Sequence, residues 1–239
     1  VGDKVTAFKK GDAVFGMLPF PDLGKAYAEY VAAPASALVL KPENISHNSA
    51  AVCTIAGYTA WQALQNFAPI KKNQRVLIHA ASGGVGHLAV QIAKHLGAYV
   101  IATSSQLNKP FVLSLGADEH IDYKTQAFEN SVRDIDFVLD PIGGDYIDRS
   151  LKTMKKGGTI VCLPTGLNET VTDKAQALGM NGHTMRAAVN INDLHAIASL
   201  LEKGILKPHV SKIFQFEELV AAHKHMETGR TVGKIALIF

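Results

Sequence analysis

A glycine-rich segment carries the clearest chemical signal in this sequence. It reads Ala80-Ala81-Ser82-Gly83-Gly84-Val85-Gly86, and it joins a buried-strand run over residues 75–80 to a helical pattern over residues 85–96. Glycines at such a junction let the backbone approach a pyrophosphate, and the first N–H groups of the helix then face the anion. In the G-x-G-x-x-G register the first position is Ala81, followed by Gly83 and Gly86. The pattern predicts a dinucleotide-binding turn, and the alternative is a tight turn without a ligand.

The residues after the next predicted strand bear on which dinucleotide binds. No Asp or Glu occurs between Tyr99 and Pro110. A site for NAD usually carries an acid there, which binds the ribose 2′-hydroxyl. Thr103, Ser104 and Lys109 offer hydroxyls and a cation instead, and a 2′-phosphate would fit them. The sequence therefore predicts NADPH rather than NADH, with a solvated Lys109 as the alternative.

Strands and helices alternate through the middle of the chain. Beyond the glycine segment, strands are predicted over residues 99–103, 120–123, 137–140 and 159–163, and helices over residues 108–115 and 146–154. Alternation at this spacing is typical of βαβ units. We therefore expect an α/β fold with a doubly wound parallel sheet of the Rossmann type.

The flanking regions have a different character. Residues 1–41 read as short strands and turns, and residues 46–68 as helix with a break or a close approach at Gly57. After a looser stretch, residues 185–189 are predicted as a strand. Helices follow over residues 193–203 and 217–228, and a last strand over residues 234–239.

Composition excludes several classes of protein. The chain has 239 residues, a net charge of +3, 47% hydrophobic and 19% charged residues, which does not fit a disordered chain. No apolar run is long enough for a membrane span, and no basic cluster suggests nucleic-acid binding. Cys53 and Cys162 are expected to be buried free thiols in a reducing, cytoplasmic environment.

Several segments together resemble one family, the zinc-independent medium-chain dehydrogenase/reductases, and within it the quinone oxidoreductase (zeta-crystallin-like) branch. The resemblance rests on the glycine segment and on the order and spacing of residues 8–16, 26–31, 59–64, 115–118, 121–123, 140–144 and 229–235. It implies a partial GroES-like β-barrel domain over residues 1–57 and 188–239, and a Rossmann cofactor domain over residues 58–187. It also implies that the first strands of the family's barrel would precede Val1, and that two copies form a homodimer, for which residues 185–189 are the candidate edge strand.

The resemblance further implies roles for individual residues. Thr59 would reach the nicotinamide end, and Arg230 or Lys234 would close over the cofactor. The remaining contacts would come from Ser82, Gly83, Gly84, Val85 and Gly86 at the pyrophosphate, Ser104, Lys109 and Tyr123 at the adenosine phosphate, Pro141 and Ile142 at the adenine and ribose, and Leu163 and Pro164 at the nicotinamide ribose. The alternatives are a half-buried strand position for Tyr123, a plain turn at Asp140-Pro141 and a surface lysine at position 234.

A catalytic zinc is not expected. Zinc-dependent relatives place a Cys ligand before an Ala-Gly pair, and Ile55 stands at that position here. Cys53 lies two residues earlier, which on a helix points to another face. Three protein ligands are needed, and none of the histidines shows ligand spacing.

The chemistry then expected is direct hydride transfer from NADPH to a quinone or an α,β-unsaturated carbonyl. Conjugation in such acceptors spreads the developing negative charge, so that no Lewis acid is required. Tyr58 is the candidate proton donor, and the loop 15–24 is expected to border the substrate. The alternatives are a non-catalytic NADPH-binding or RNA-binding protein and a zinc alcohol dehydrogenase.

Overall fold

The structure is a computed structural model that describes residues 1–18 and 24–239. It contains two compact units. The first unit comprises Val1–Tyr58 and Ala187–Phe239, and the second comprises Thr59–Arg186. Part of the loop expected to border the substrate, residues 19–23, lies outside the described residues.

The described residues form the following strands and helices. The strands are β1 (Val14–Gly16), β2 (Leu38–Leu40), β3 (Arg75–Ile78), β4 (Tyr99–Ser104), β5 (Glu119–Asp122), β6 (Ile135–Asp140), β7 (Met154–Cys162), β8 (Asn181–Thr184), β9 (Val210–Gln215) and β10 (Lys234–Ile238). The α-helices are α1 (His47–Asn66), α2 (Gly86–His95), α3 (Lys109–Ser114), α4 (Phe128–Ser131), α5 (Asp145–Leu151), α6 (Val171–Ala177), α7 (Ile191–Glu202) and α8 (Leu219–Glu227). Short 3₁₀ turns cover Ala35–Ala37, Gln106–Asn108 and Phe216–Glu218.

The second unit is built on one parallel sheet of six strands in the order β5-β4-β3-β6-β7-β8. Counted from the first strand of the unit, this is the order 3-2-1-4-5-6 of the Rossmann fold, and the predicted fold class is confirmed. The order reverses between β3 and β6, which pair with each other in parallel. Ligands of such sheets bind at the carboxyl ends of the strands beside this reversal.

The sheet forms because its central strands are apolar on both faces. Val76, Leu77 and Ile78 of β3 are all fully buried, as are Val138 and Leu139 of β6. Continuous apolar runs of this kind are typical of parallel strands covered by helices on both sides. The carboxyl edge of the sheet is thereby held on a rigid support.

The first unit has two small sheets among its described residues. β1 and β2 pair antiparallel, while β9 and β10 pair in parallel. The prediction of a partial barrel in this unit comes from the family resemblance. β9 was not predicted from the sequence, and neither were α4 and α6.

Gly57 does not interrupt α1, so the predicted break is wrong. A Cβ atom at this position would lie 3.2 Å from the Cys53 sulfur and 3.5 Å from two carbon atoms of Ile197 in α7. Glycine costs helix stability, but here it allows α7 to approach α1 closely. The structure therefore agrees with the other prediction for Gly57, a close approach between helices.

Met154 was predicted to end a helix, but it begins β7. The spacing of Ile147, Leu151 and Met154 fits a helical face, yet α5 ends at Leu151. Met154 pairs with Ile135 across the sheet, and the register then shifts before the next pair. Gly157 takes a φ of +75° in the shifted segment, which a glycine adopts without strain.

The strand predicted over residues 185–189 is wrong in its position. β8 ends at Thr184, where its pairing with Cys162 of β7 also ends. Met185 still donates its N–H to the Cys162 carbonyl at 3.0 Å, but the chain then leaves the sheet. β8 is therefore the edge strand on this side, and the homodimer stays a prediction.

Among residues 1–18 and 24–239, no helix combines the length and the apolar character that crossing a membrane requires.

A buried histidine fastens the carboxyl end of β3 to its neighbours. His79 is fully buried, with Nδ1 3.0 Å from the Thr103 hydroxyl and Nε2 3.0 Å from the Ser150 hydroxyl. Its ring packs on Phe128, with ring centroids 4.5 Å apart. Burial and the positive charge of Arg149 lower the pKa of His79 to about 3, so the ring is neutral at physiological pH.

We expect the free energy of unfolding to decrease as the pH is lowered from 7 to 4. Unfolded His79 takes up a proton near its ordinary pKa of 6.5, whereas the folded protein does so only near pH 3. The stabilising contribution of the neutral ring is therefore present above pH 6.5 and is lost between 6.5 and 3, by up to about 1.4 kcal/mol per pH unit.

Denaturant titrations at several pH values measure this slope. His79→Asn should reduce it, while His95→Asn, at an exposed position on α2, should leave it unchanged. An identical slope in His79→Asn and the parent protein would contradict the assignment.

Candidate dinucleotide site

The glycine turn is closed so tightly that one of its positions admits only glycine. A Cβ atom on Gly86 would lie 2.7 Å from the Ala81 Cα and still closer to the Ala80 carbonyl oxygen. A Cβ atom on Gly83 would lie 3.1 Å from that same oxygen. Ala80 itself has a φ of +47°, a left-handed conformation that costs a non-glycine residue energy and often marks a functional turn. The backbone is thus held where a pyrophosphate could approach it.

The turn leads directly into the amino end of α2. Gly86 is the first helical residue, and the positive end of the helix dipole faces the turn. His87 lies 2.8 Å from the Gly83 carbonyl through its Nδ1 atom, and Gly83 donates its own N–H to the Ala80 carbonyl at 2.9 Å. These bonds fix the backbone around Ser82, Gly84 and Val85, which are partly exposed.

Asn108 belongs to the site and was missed in the sequence. Its side-chain amide donates to the Ser82 hydroxyl at 3.0 Å, and so joins the glycine turn to the segment that follows β4. Asn108 and Ser82 are 26 residues apart, so no local pattern predicts their contact. The only signal in the sequence is that Asn108 precedes Lys109. The Ala81 N–H makes a second link by donating to the Thr103 carbonyl at 2.9 Å.

Two of the predicted binding residues are buried at the end of β4. Thr103 and Ser104 are each 1% exposed. The Thr103 hydroxyl is bonded to His79, and the Ser104 hydroxyl lies 2.8 Å from Nε2 of His120. Both hydroxyls are thus hydrogen-bonded to neighbouring histidines. Direct contact with a cofactor stays a prediction for Thr103 and Ser104.

Lys109 and Tyr123 are exposed near the same edge of the sheet. Lys109 is the first residue of α3, and Tyr123 follows β5 with 46% of its surface exposed. The Tyr123 N–H donates to the Ser104 carbonyl at 3.3 Å. A cation and a phenol therefore stand beside the end of β4, where an acid would be needed to bind a ribose 2′-hydroxyl.

Asp140 organises the turn on the other side of the reversal. Its carboxylate accepts the N–H groups of Ile142 at 2.8 Å and Gly143 at 3.1 Å, and the Cys162 thiol lies 3.7 Å away. Burial raises the pKa of Asp140. The predicted turn is present, and it leaves Pro141 and Ile142 partly exposed.

The loops after β6 and β7 are bonded to each other. Gly144 donates its N–H to the Leu167 carbonyl at 2.7 Å, and Leu163 donates to the Asp140 carbonyl at 3.0 Å. Leu163 is buried, whereas Pro164 is exposed. The structure therefore brings these predicted residues to the same sheet edge as the glycine turn.

Four predicted residues do not belong to the loops that form this edge. Thr59 is a nearly buried residue of α1 in the second unit. Tyr58, Arg230 and Lys234 belong to the first unit. Tyr58 is fully buried, and burial together with Asp193 raises its pKa. Burial lowers the pKa of Lys234, while Arg230 is exposed; the cofactor roles of all four stay predictions.

Among the described residues, no group of side chains fits a catalytic zinc. Within the described ranges 1–18 and 24–239, no three His, Cys, Asp or Glu side chains come together as a metal site. Burial raises the pKa of Cys53 to about 12, whereas zinc binds the thiolate. Ile55, at the position of the relatives' Cys ligand, has no donor atom.

Comparison with known proteins identifies the family. Residues 115–237 match the family described as zinc-binding dehydrogenase. The chain belongs to the medium-chain dehydrogenase/reductase family. A quinone oxidoreductase structure from Coxiella burnetii superposes on it with a TM-score of 0.94 and 38% identity, covering 100% of this chain and 76% of that one. The resemblance found in the sequence is thereby confirmed.

Two other relatives of this chain are named as oxidoreductases. The 2-methylene-furan-3-one reductase of Solanum lycopersicum is 33% identical over 99% of this chain, which spans only 60% of the length of that enzyme. The Escherichia coli quinone oxidoreductase, whose structure is complexed with NADPH, has a TM-score of 0.84 and 26% identity, and the match covers 100% of this chain and 78% of that one.

We expect Gly86→Ala to damage the site far more than Gly83→Ala. The Cβ at position 86 meets backbone atoms on two residues, which cannot move without opening the turn, whereas at position 83 it meets one oxygen at 3.1 Å. The loss of stability should be about 3 kcal/mol for Gly86→Ala and about 1 kcal/mol for Gly83→Ala. Thermal unfolding and NADPH titration of both variants measure the effects, and equal losses would contradict the geometry.

Proposed function

We propose that this chain carries out NADPH-dependent reduction of a quinone or an α,β-unsaturated carbonyl, without zinc. The observation that carries the proposal is the glycine turn, closed by Gly86 against Ala80 and Ala81 at the reversal point of a Rossmann sheet. The relatives support the acceptor class, since one reduces an enone by its name and others are quinone oxidoreductases.

The second unit provides a suitable binding surface for the cofactor. The partly exposed turn from Ser82 to Gly86 and the amino end of α2 would hold the pyrophosphate. Lys109 and Tyr123 would contact the 2′-phosphate, because a cation and a hydroxyl favour this group where an acid would repel it. Pro141, Ile142, Leu163 and Pro164 would border the ribose and base along the bonded loops after β6 and β7.

A nicotinamide bound there supplies a hydride from its C4 atom. The remaining task of the chain is to orient the acceptor and to provide a proton for the resulting oxygen anion. Tyr58 is retained as the proposed donor, because a phenol carries its proton at neutral pH, and burial raises the pKa of this one further. Because the Tyr58 side chain is fully buried, water is the alternative source of the proton.

Two further observations support proposals about the cellular setting and the assembly. Cys53 and Cys162 are free and buried, so we propose a reducing cytoplasmic environment. β8 has an unpaired edge within the described sheet, and we propose that it joins two copies edge to edge.

We expect steady consumption of NADPH when the purified chain is given an o-quinone or a short enal. Absorbance of the reduced cofactor measures the rate, NADH serves as the cofactor control, and a chelator should not change the rate because no zinc is used. Binding of NADPH without turnover on any acceptor would favour the alternative of a non-catalytic NADPH-binding protein. Stoichiometric zinc with loss of activity on chelation would favour the alcohol dehydrogenase alternative.

We expect Lys109→Ala to weaken NADPH binding by about fivefold and to leave NADH binding unchanged, because the lysine would contact only the 2′-phosphate. The modest size reflects the exposure of this side chain to water. Lys152→Ala, at another exposed position of the second unit, is the matched control. Equal losses for both cofactors would contradict the role of Lys109.

A further inference from the structure

His120 stands beside the proposed 2′-phosphate position, and its ring is held by a buried hydroxyl. Nε2 lies 2.8 Å from the Ser104 hydroxyl at the end of β4. That hydroxyl also lies 3.2 Å from the Ser105 carbonyl oxygen. The hydroxyl either accepts from a protonated Nε2 or donates to an unprotonated one, and in both cases it holds the ring in place.

Two charged groups act on this ring. Lys109, at the start of α3, repels a proton on His120, while Asp122, two residues further along β5, attracts one. The Asp122 carboxylate is already bonded to the Lys124 N–H at 3.1 Å and to the Thr125 hydroxyl at 3.2 Å. Burial is the main cause that places the pKa of His120 below its ordinary value; Lys109 lowers this pKa further, and Asp122 opposes both.

On the basis of the proposed NADPH site, we propose that His120 is a specificity-determining residue that takes up a proton when the ribose 2′-phosphate binds. A phosphate beside Lys109 would offset the repulsion between the lysine and the imidazolium. His120 would then become a second cation on the phosphate, and proton uptake would favour NADPH over NADH. NADH lacks the phosphate and would leave the ring neutral.

The test uses adenosine 2′,5′-bisphosphate and adenosine 5′-diphosphate as probes on the full chain. Calorimetry between pH 8 and pH 6, in buffers of different ionisation enthalpy, gives the affinity and the protons bound. We expect proton uptake beyond that of His120→Gln with the bisphosphate only. As the pH falls, the affinity for the bisphosphate should rise about fivefold more in the parent protein than in His120→Gln. A difference of this size corresponds to a modest charge-assisted contact. The phosphate's own titration is common to both proteins and cancels.

Two further variants sharpen the comparison. His120→Arg carries a permanent cation, so it should bind the bisphosphate tightly. Its affinity should change with pH only through the titration of the phosphate itself, whereas the parent protein should show an additional pH dependence. His95→Gln, at the exposed carboxyl end of α2, should behave like the parent protein. Circular dichroism confirms that each variant is folded, and His120→Arg serves as the second test if His120→Gln is unstable.

The outcomes separate this inference from the proposed function. If the parent protein and the folded His120 variants share one pH profile and one proton count, the inference is overturned, while tight binding of the bisphosphate still supports the NADPH site. If the folded parent protein binds neither the bisphosphate nor NADPH, both proposals fail.

Discussion

The close approach of α2 to the end of β3 is the constraint on which the site depends. Gly86 starts the helix against the backbone of Ala80 and Ala81, at a distance that leaves no room for a side chain. This contact aims the helix dipole along the turn and fixes the direction in which the backbone N–H groups point. Ala80, whose carbonyl lies in this contact, has a left-handed backbone conformation.

The turn is held from behind by a polar network inside an apolar core. His79 bonds both Thr103 and Ser150, and so connects β3, β4 and α5 below the surface on which a cofactor would lie. Buried polar groups are costly unless all are bonded, and a satisfied network then specifies a single arrangement. A neutral imidazole suits this place because it can donate at one nitrogen and accept at the other.

The edge of the sheet combines rigid loops with exposed recognition groups. The Asp140 carboxylate accepts N–H groups from its own turn. Backbone hydrogen bonds join this turn to the loop after β7. Lys109 and Tyr123 remain accessible after β4 and β5, on the other side of the reversal. In the proposed function, side chains at the surface discriminate between dinucleotides, whereas buried contacts fix the position of the backbone.

The sequence by itself determined the alternation of strands and helices, the glycine turn and the missing acid after β4, because these features are local patterns of neighbouring residues. Only the tertiary structure decided that Met154 joins a strand, since its pairing with Ile135 outweighs a helical spacing. Only the fold brought Asn108 to Ser82 and His120 to Ser104. Contacts between residues distant in the chain leave no periodic trace in the sequence, and the fine structure of the site consists of such contacts.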